Sequence, residues 1–323
     1  MSLTSASFGG RSVGTSGADS AVAFLTRRYA QLGLGGAFAS SYEQRFVIGP
    51  LAGAYARLPD TTSARNVVAV IPGSDPALRS EYVVVGAHYD HIGLGGFGAG
   101  DAQNGPALHP GADDNASGTA AVLELARRLA ANPPPRSVVL AHFGTEEVGL
   151  VGSQVFVGAS PVPLGSVVLM LNLDMVGRLR GDELLVGGLG SGTGLRALVD
   201  SAVAPSRLAV IEDESGEGRT DHSSFEARGV AALTFFTGFH PDYHRATDSA
   251  ERVNVAGLGR IVDVAERVVR AASRATVLSP GSSSRLRHDR TLAAASSEGG
   301  SDGRAAPAAP AVERRSRHRS IAP

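Results

Sequence analysis

The chain contains no cysteine and no lysine, and it has no long apolar run. Without cysteine there can be no disulfides and no thiolate ligands, so a bound metal must take nitrogen and oxygen ligands. All 30 basic residues are arginines, and with 31 acidic residues they leave a net charge of -1. That balance gives no general attraction to nucleic acid or to anionic membranes. No apolar run approaches the roughly 20 residues that a membrane-spanning helix needs.

Apolar sequence is nevertheless plentiful, since hydrophobic residues make up 43% of the 323 residues and can form a full core. Short β-branched runs alternate with segments of helical periodicity. The predicted strands are 65–71, 81–87, 137–143, 166–173 and 230–236, and the predicted helices are about 17–32, 117–131, 195–204 and 255–275. This alternation predicts a three-layer α/β/α fold around a mixed, mostly parallel central sheet.

The sequence divides into two parts of different composition. Residues 1–278 carry every predicted strand and helix and are expected to form one domain. From Ser279 to Pro323 the chain is rich in Ser, Ala, Pro, Gly and Arg and has almost no large apolar residue. That composition predicts a disordered tail.

Carboxylates and histidines recur where apolar runs end. The candidates are His88 with Asp90, Asp113 with Asp114, Glu146 with Glu147, Asp174 and His244. Each alone has an ordinary interpretation: a polar turn, a helix cap, an acidic turn or a surface histidine. Four of the five motifs follow predicted strands, where open α/β sheets gather their sites. Together they match the ligand types of a two-metal hydrolase.

The spacing of these residues suggests individual roles. His88 and Asp90 are two residues apart at a strand end, so both can point the same way and Asp90 can orient the imidazole. Adjacent carboxylates project differently, so one glutamate of the pair can bind metal while the other acts as a general base. A buried Asp174 would be costly without a nearby cation.

The sequence pattern gives weaker support to the remaining candidate ligands. Asp113 is predicted to bridge two metals, whereas Asp114 is compatible with helix capping. His244 is the best remaining nitrogen ligand, and His91 is expected to be structural.

The motifs "GAHYDHIG", "GADDNASG", "TEEVGLVGS", "NLDMVGR" and "DYHRATD" occur in a familiar order and spacing. From Gly10 to Ala275 the chain resembles the zinc-dependent aminopeptidases of the bacterial leucyl aminopeptidase and glutamate carboxypeptidase superfamily. This resemblance implies a two-zinc peptidase domain with a zinc-exopeptidase-like fold. It does not extend to the tail.

The resemblance also implies roles for matching positions. One Zn²⁺ would be held by His88 and Asp174 and the other by Glu147 and His244, with Asp113 bridging them. The general base would be Glu146, and Asp90 would support His88. A non-proline cis peptide is expected between Asp113 and Asp114. Some relatives place a transition-state tyrosine at a position that is Glu217 here, whereas others use the residue that corresponds to Tyr243, to which we assign the oxyanion contact.

The expected function is that of a zinc metallo-aminopeptidase with two Zn²⁺ per chain, acting as a monomer on peptides with a free N-terminus. One alternative is an acyltransferase like glutaminyl cyclase, which has one zinc and lacks the first histidine ligand. Another is a non-catalytic, receptor-like member of the fold, which lacks ligands that are present here. Carboxypeptidase or other amidase action also remains open. The resemblance favours a secreted or periplasmic protein whose leader is absent from this sequence, with a cytoplasmic location as the alternative.

Overall fold

The computed structural model describes residues 3–39, 41–49, 61–95, 98–213 and 220–275. The predicted tail at 279–323 and Glu217 lie outside these residues. Within them, nine strands form one sheet. The strands are β1 (Gly35–Gly36), β2 (Glu43–Ile48), β3 (Thr62–Ile71), β4 (Tyr82–His88), β5 (Ser137–Phe143), β6 (Val167–Leu173), β7 (Glu183–Gly187), β8 (Ala209–Glu212) and β9 (Ala232–Phe236).

Helices cover both faces of this sheet. They are α1 (Ser16–Gln31), α2 (Gly118–Ala131), α3 (Val151–Gly158), α4 (Leu195–Val203), α5 (His222–Glu226) and α6 (Val255–Ala272). One core layer lies beneath α1, α2, α4 and α6. The other lies beneath α3 and α5. The predicted three-layer α/β/α architecture is therefore confirmed.

The sheet is mixed, as predicted. Its strand order is β1-β3-β5-β4-β6-β9-β7-β8. The remaining strand, β2, pairs with β3. The four central strands β5, β4, β6 and β9 are parallel to one another. The antiparallel pairs lie outward, at β3 with β5 and at β7 with β9. The carboxyl ends of the central strands consequently lie along one edge of the sheet.

The central strands are apolar because both of their faces are covered. In β4, Val83 and Val85 pack into the core layer beneath α2 and α6, whereas Val84 packs into the opposite layer. On that opposite side, Phe143 at the end of β5 contacts Phe156 and Phe225, with ring centroids 5.7 and 6.1 Å away. These aromatic contacts hold the end of β5, from which the chain enters the loop with the two glutamates.

Predicted element bounds agree closely with the structure in the centre of the fold. The strand predicted at 137–143 has those bounds, and the helix predicted at 117–131 begins at Gly118 after a wide turn, Ala112–Ser117. The short strands β1, β2, β7 and β8 and the helices α3 and α5 were not predicted. In the described part of the chain, no helix combines the length and apolar character needed to cross a bilayer.

Candidate metal centre

Two clusters of nitrogen and oxygen donors lie at the carboxyl edge of the central strands. In the first, donor atoms of His88, Glu146 and Asp174 all lie within 4.8 Å of one another. In the second, the same limit holds for His91, Asp114, Glu147 and His244. The parallel central strands account for this convergence, because their ends bring motifs distant in sequence to one edge.

Asp114 lies between the two clusters. Its Oδ1 atom is 3.3 Å from Nε2 of His88, and its Oδ2 atom is 3.1 Å from Nε2 of His244. Burial would raise the pKa of Asp114, but hydrogen bonds with His244 and His88 hold it well below its ordinary value. The two oxygens of one buried carboxylate therefore face two different imidazoles.

The prediction that Asp113 takes this bridging position is wrong. Asp113 is fully buried and points away from the two clusters, toward Ser117, Gly177 and His240. The reason is the backbone of the turn, which directs adjacent side chains to different sides. The structure also has a non-proline cis peptide, but it joins Asp114 to Asn115, one residue later than expected.

Glu147 lies between two imidazoles in the second cluster. Its Oε1 atom is 2.7 Å from Nδ1 of His91, and its Oε2 atom is 3.1 Å from Nε2 of His244. Burial and the charge of Asp114 raise the pKa of Glu147, yet the two histidines lower it to about 2. His91, expected to be structural, is thus in direct contact with a candidate ligand.

His244 is oriented by a hydrogen bond on its other nitrogen. Its Nδ1 atom lies 2.9 Å from the carbonyl oxygen of Gly98, so Nδ1 is the donor and Nε2 faces the carboxylates. Burial would lower the pKa of His244, but Asp114 and Glu147 raise it to about 11. The sequence offered no sign of this contact, because Gly98 is remote from His244 along the chain.

The first cluster forms around His88. Nε2 of His88 lies 3.4 Å from Asp174 and 4.0 Å from Glu146. Burial would lower the pKa of His88, whereas the neighbouring carboxylates raise it well above its ordinary value. Burial raises the pKa of Asp174. Burial likewise raises the pKa of Glu146 well above its usual range.

Asp90 contacts both the histidine and the two glutamates. Nδ1 of His88 is 3.2 Å from the backbone oxygen of Asp90 and 3.7 Å from its carboxylate, so the backbone oxygen is the closer acceptor. The carboxylate instead accepts hydrogen bonds from the backbone amides of Glu146 and Glu147, at 3.1 and 3.3 Å. Burial raises the pKa of Asp90 to about 6. Asp90 thus fixes the loop that carries both glutamates.

A cavity of about 150 Å³ opens beside the first cluster. Its lining residues are His88, Asp114, Glu146, Asp174, Met175, Asp213, Thr220, Thr234, Phe236, Phe239 and Tyr243. Tyr243 stacks on His244 with ring centroids 3.9 Å apart, and its ring also contacts Phe239. Burial and the nearby carboxylates raise the pKa of Tyr243, so the hydroxyl keeps its proton and can act as a donor.

The donor set fits two zinc ions. Imidazole nitrogens and carboxylate oxygens are ordinary zinc ligands, and no cysteine is required. The four carboxylates of the two clusters are buried or nearly so and lie beside histidines. They raise the pKa values of His88 and His244. Such a concentration of negative charge in a poorly solvated site calls for cations. His88, Asp174, Glu147 and His244, with Asp114 shared, are the residues that could hold them.

Two supporting residues near the clusters were missed by sequence reasoning. Arg11 is completely buried and donates hydrogen bonds to backbone oxygens that include those of Tyr89 and Gly111, at 2.7 and 2.9 Å. Asp248 accepts from the backbone amides of Asp113 and Asp114, at 2.9 and 3.1 Å. Arg11 belongs to no recognisable local pattern, and Asp248 ends the DYHRATD motif without a predicted role. Both act on backbone groups far away in sequence, which local patterns do not reveal.

The comparison with known proteins agrees with this fold and donor set. The profile of peptidase family M28 matches residues 66–269. The chain is 33% identical over 186 residues to an aminopeptidase of Pseudomonas aeruginosa, covering 55% of this chain and 32% of that protein. It is 29% identical over 231 residues to a probable lipoprotein aminopeptidase of Mycobacterium tuberculosis, covering 61% and 43%.

The chain is also similar in fold to solved structures of zinc aminopeptidases. The zinc aminopeptidase BSAP from Bacillus subtilis superposes with a TM-score of 0.55 at 26% identity, covering 68% of this chain and 53% of that one. The fold is that of the zinc-exopeptidase class of α/β proteins. Within that class, the chain belongs to peptidase family M28. It spans less than half the length of the two curated relatives described above.

Proposed function

We propose that this protein is a zinc-dependent aminopeptidase that removes N-terminal residues from peptides. The observation that carries the proposal is the position of Asp114, whose two oxygens lie 3.3 and 3.1 Å from imidazoles of separate donor clusters. Membership of peptidase family M28 and similarity to proteins named aminopeptidases support the same reaction class.

His88 and Asp174 would hold one zinc ion, Glu147 and His244 the other, and Asp114 would contact both. When bound, the two ions would polarise the scissile carbonyl and acidify a water molecule. His91 and Gly98 would act one step further out, by orienting Glu147 and His244.

Glu146 would be the general base. It lines the cavity, whereas Glu147 is occupied by contacts with two histidines. In this role Glu146 takes a proton from the attacking water and returns it to the leaving amine.

Tyr243 would donate a hydrogen bond to the oxyanion that develops on the scissile carbonyl. Its ring is held beside the second cluster by stacking on His244, so the hydroxyl has a restricted position. An oxyanion donor of this kind contributes roughly 3 to 4 kcal/mol of transition-state stabilisation.

The cavity itself favours a chain end over a continuous chain. At about 150 Å³ it is small, well below the roughly 300 Å³ at which pockets for larger ligands begin. Carboxylates in its wall would pair with the free ammonium group of the substrate, whereas apolar groups such as Met175 and Phe236 would contact the first side chain.

A panel of fluorogenic aminoacyl and N-blocked peptides, assayed with and without a chelator, tests the proposal. We expect hydrolysis of the free aminoacyl substrates, loss of activity in chelator, and two zinc ions per chain by elemental analysis. Cleavage of blocked peptides alone would exclude an aminopeptidase. A single zinc per chain would favour the acyltransferase alternative.

We also propose that the protein acts outside the cytoplasm. The support is its similarity to a probable lipoprotein aminopeptidase. Fractionation of native cells with an antibody against residues 66–269 would test this, and recovery in the cytosolic fraction alone would contradict it.

A further inference from the structure

Asp113 is a fully buried carboxylate with no place in the proposed reaction. Its Oδ1 atom accepts hydrogen bonds from the backbone amide of Gly177 at 2.6 Å and from the hydroxyl of Ser117 at 3.1 Å. Its Oδ2 atom lies 3.1 Å from Nε2 of His240. Because a carboxylate oxygen is an acceptor, the Nε2 hydrogen of His240 points toward Asp113.

These contacts join three segments that carry candidate zinc ligands. Asp113 itself precedes Asp114, which faces both clusters. Gly177 follows Asp174 of the first cluster by three residues, in a segment whose amides lie close to the turn. His240 precedes His244 of the second cluster by four residues. One buried side chain therefore joins three of the five segments that carry the candidate zinc ligands.

The surroundings of Asp113 leave little room for another arrangement. A Cβ atom placed on Gly177 would lie 2.8 Å from Oδ1 of Asp113 and 2.9 Å from Cβ of Ser117. Asp248 holds the backbone on the other side of Asp113, through the amides of Asp113 and Asp114. The carboxylate is thus fixed from the side chain and from the backbone.

We propose that Asp113 is a positioning residue shared by the two ion clusters, aligning the segments of Asp114, Asp174 and His244. The inference rests on the proposed two-zinc function. A positioning role differs from a general stabilising role in its effect on zinc binding. If Asp113 positions the ligands, its loss should weaken both zinc sites, whereas loss of one of its contacts should weaken one site.

Zinc titrations in competition with a chelator test this directly. They yield two dissociation constants for the wild-type protein, which the variants Asp174→Ala and His244→Ala assign to the first and second cluster. For Asp113→Ala we expect both constants to rise by about 10- to 100-fold, as when other outer-sphere partners of metal ligands are removed. Asp113→Asn keeps an oxygen acceptor for Gly177 and Ser117 and should rescue much of the loss.

Two further variants separate the contacts. His240→Phe removes the donor to Oδ2 and should weaken only the second cluster. Gly177→Ala crowds Oδ1 of Asp113 and Cβ of Ser117 and should weaken the first cluster. His240→Phe decides the matter if Asp113→Ala fails to fold, because it leaves Asp113 and its contacts with Gly177 and Ser117 in place. Asp182→Ala, which removes a surface carboxylate paired with Arg260, is the matched control and should change neither constant.

The zinc titrations distinguish failure of the positioning role of Asp113 from failure of the proposed two-zinc function. A wild-type protein that binds no zinc would contradict the proposed function. The positioning role alone would be overturned if folded Asp113→Ala bound both zinc ions with the dissociation constants of the wild-type protein. It would also be overturned if His240→Phe weakened both clusters equally. A lower unfolding temperature of the chelated protein with unchanged constants would likewise assign Asp113 to general stability.

Discussion

The Nδ1 atom of His91 lies 2.7 Å from Oε1 of Glu147. With His244 on the other oxygen of Glu147, this contact holds the second glutamate of the Glu146–Glu147 pair within one cluster. Glu146 faces the cavity and the first cluster instead. The two adjacent carboxylates thus have different surroundings, which supports the different roles proposed for them.

Glu146→Gln is expected to lower kcat by about 10²- to 10⁴-fold, because the amide cannot accept the proton of the attacking water. Both zinc ions should remain bound. Glu147→Gln is the matched control: the same change one residue later should weaken zinc binding at the second cluster. Steady-state kinetics and elemental analysis of both variants provide the measurement. Near-normal turnover of Glu146→Gln with two zinc ions bound would refute the assigned base.

Tyr243→Phe should lower kcat by roughly 10²- to 10³-fold and change KM little, because an oxyanion donor acts mainly in the transition state. The ring, and with it the stacking on His244, is retained. Tyr82→Phe, at the opposite end of β4, is the control and should leave kcat unchanged. An unaltered kcat in Tyr243→Phe would show that another group stabilises the oxyanion.

Arg11→Lys should lower the free energy of unfolding by about 3 kcal/mol, because lysine cannot reproduce the charge-assisted hydrogen bonds of the guanidinium. Arg11 donates to four backbone oxygens, those of Leu3, Tyr89, Pro110 and Gly111. Burial lowers the pKa of Arg11 to about 10. Urea unfolding measures the effect, with the exposed Arg196→Lys as control. Equal midpoints for Arg11→Lys and the wild-type protein would contradict the prediction.

His142 should make the protein less stable in mild acid. Burial lowers its pKa in the folded protein to about 3, from an ordinary value of 6.5. As the pH falls below 6.5, the unfolded chain therefore binds a proton that the folded protein does not accept until about pH 3. The stability present above pH 6.5 is lost across this window, at up to about 1.4 kcal/mol per pH unit.

The variant His142→Leu isolates this contribution. It removes the titrating ring and two buried nitrogens that find no hydrogen-bond partner among the residues that the structure describes. The stability of the variant relative to the wild-type protein should rise steadily as the pH is lowered from 6.5 to 4.5. Urea unfolding of both proteins in chelator measures the difference, since titration of other groups is common to both. A difference that does not change with pH would contradict the prediction.

Local sequence patterns predicted the centre of the fold because burial there is nearly complete. The strand at 137–143 is buried throughout and apolar except at Ser137 and His142, and its bounds agree with β5. The outer strands β7 and β8 were missed because they are short, and β8 is largely exposed at the edge of the sheet. Their apolar pattern is too brief to distinguish them from loops.

The same contrast applies to the candidate site. Placing polar motifs at strand ends was sufficient to anticipate that His88, Glu146, Asp174 and His244 would lie near one another, because parallel strands end along one edge. The choice between Asp113 and Asp114 could not be made in this way. Both are acidic and adjacent, and the direction of each side chain depends on the backbone of the turn and on partners such as His240 and Asp248.

Composition and strand pattern are sufficient to establish the kind of chemistry that is possible. Without cysteine, and with carboxylates and histidines following apolar strands, the sequence restricts a metal centre to nitrogen and oxygen ligands in an α/β fold. The folded chain shows which carboxylate lies between the clusters and which side chains orient the ligands. Hydrophobic periodicity reports burial along a segment, whereas ligand geometry depends on contacts between distant segments, such as the 146 residues that separate Gly98 from His244.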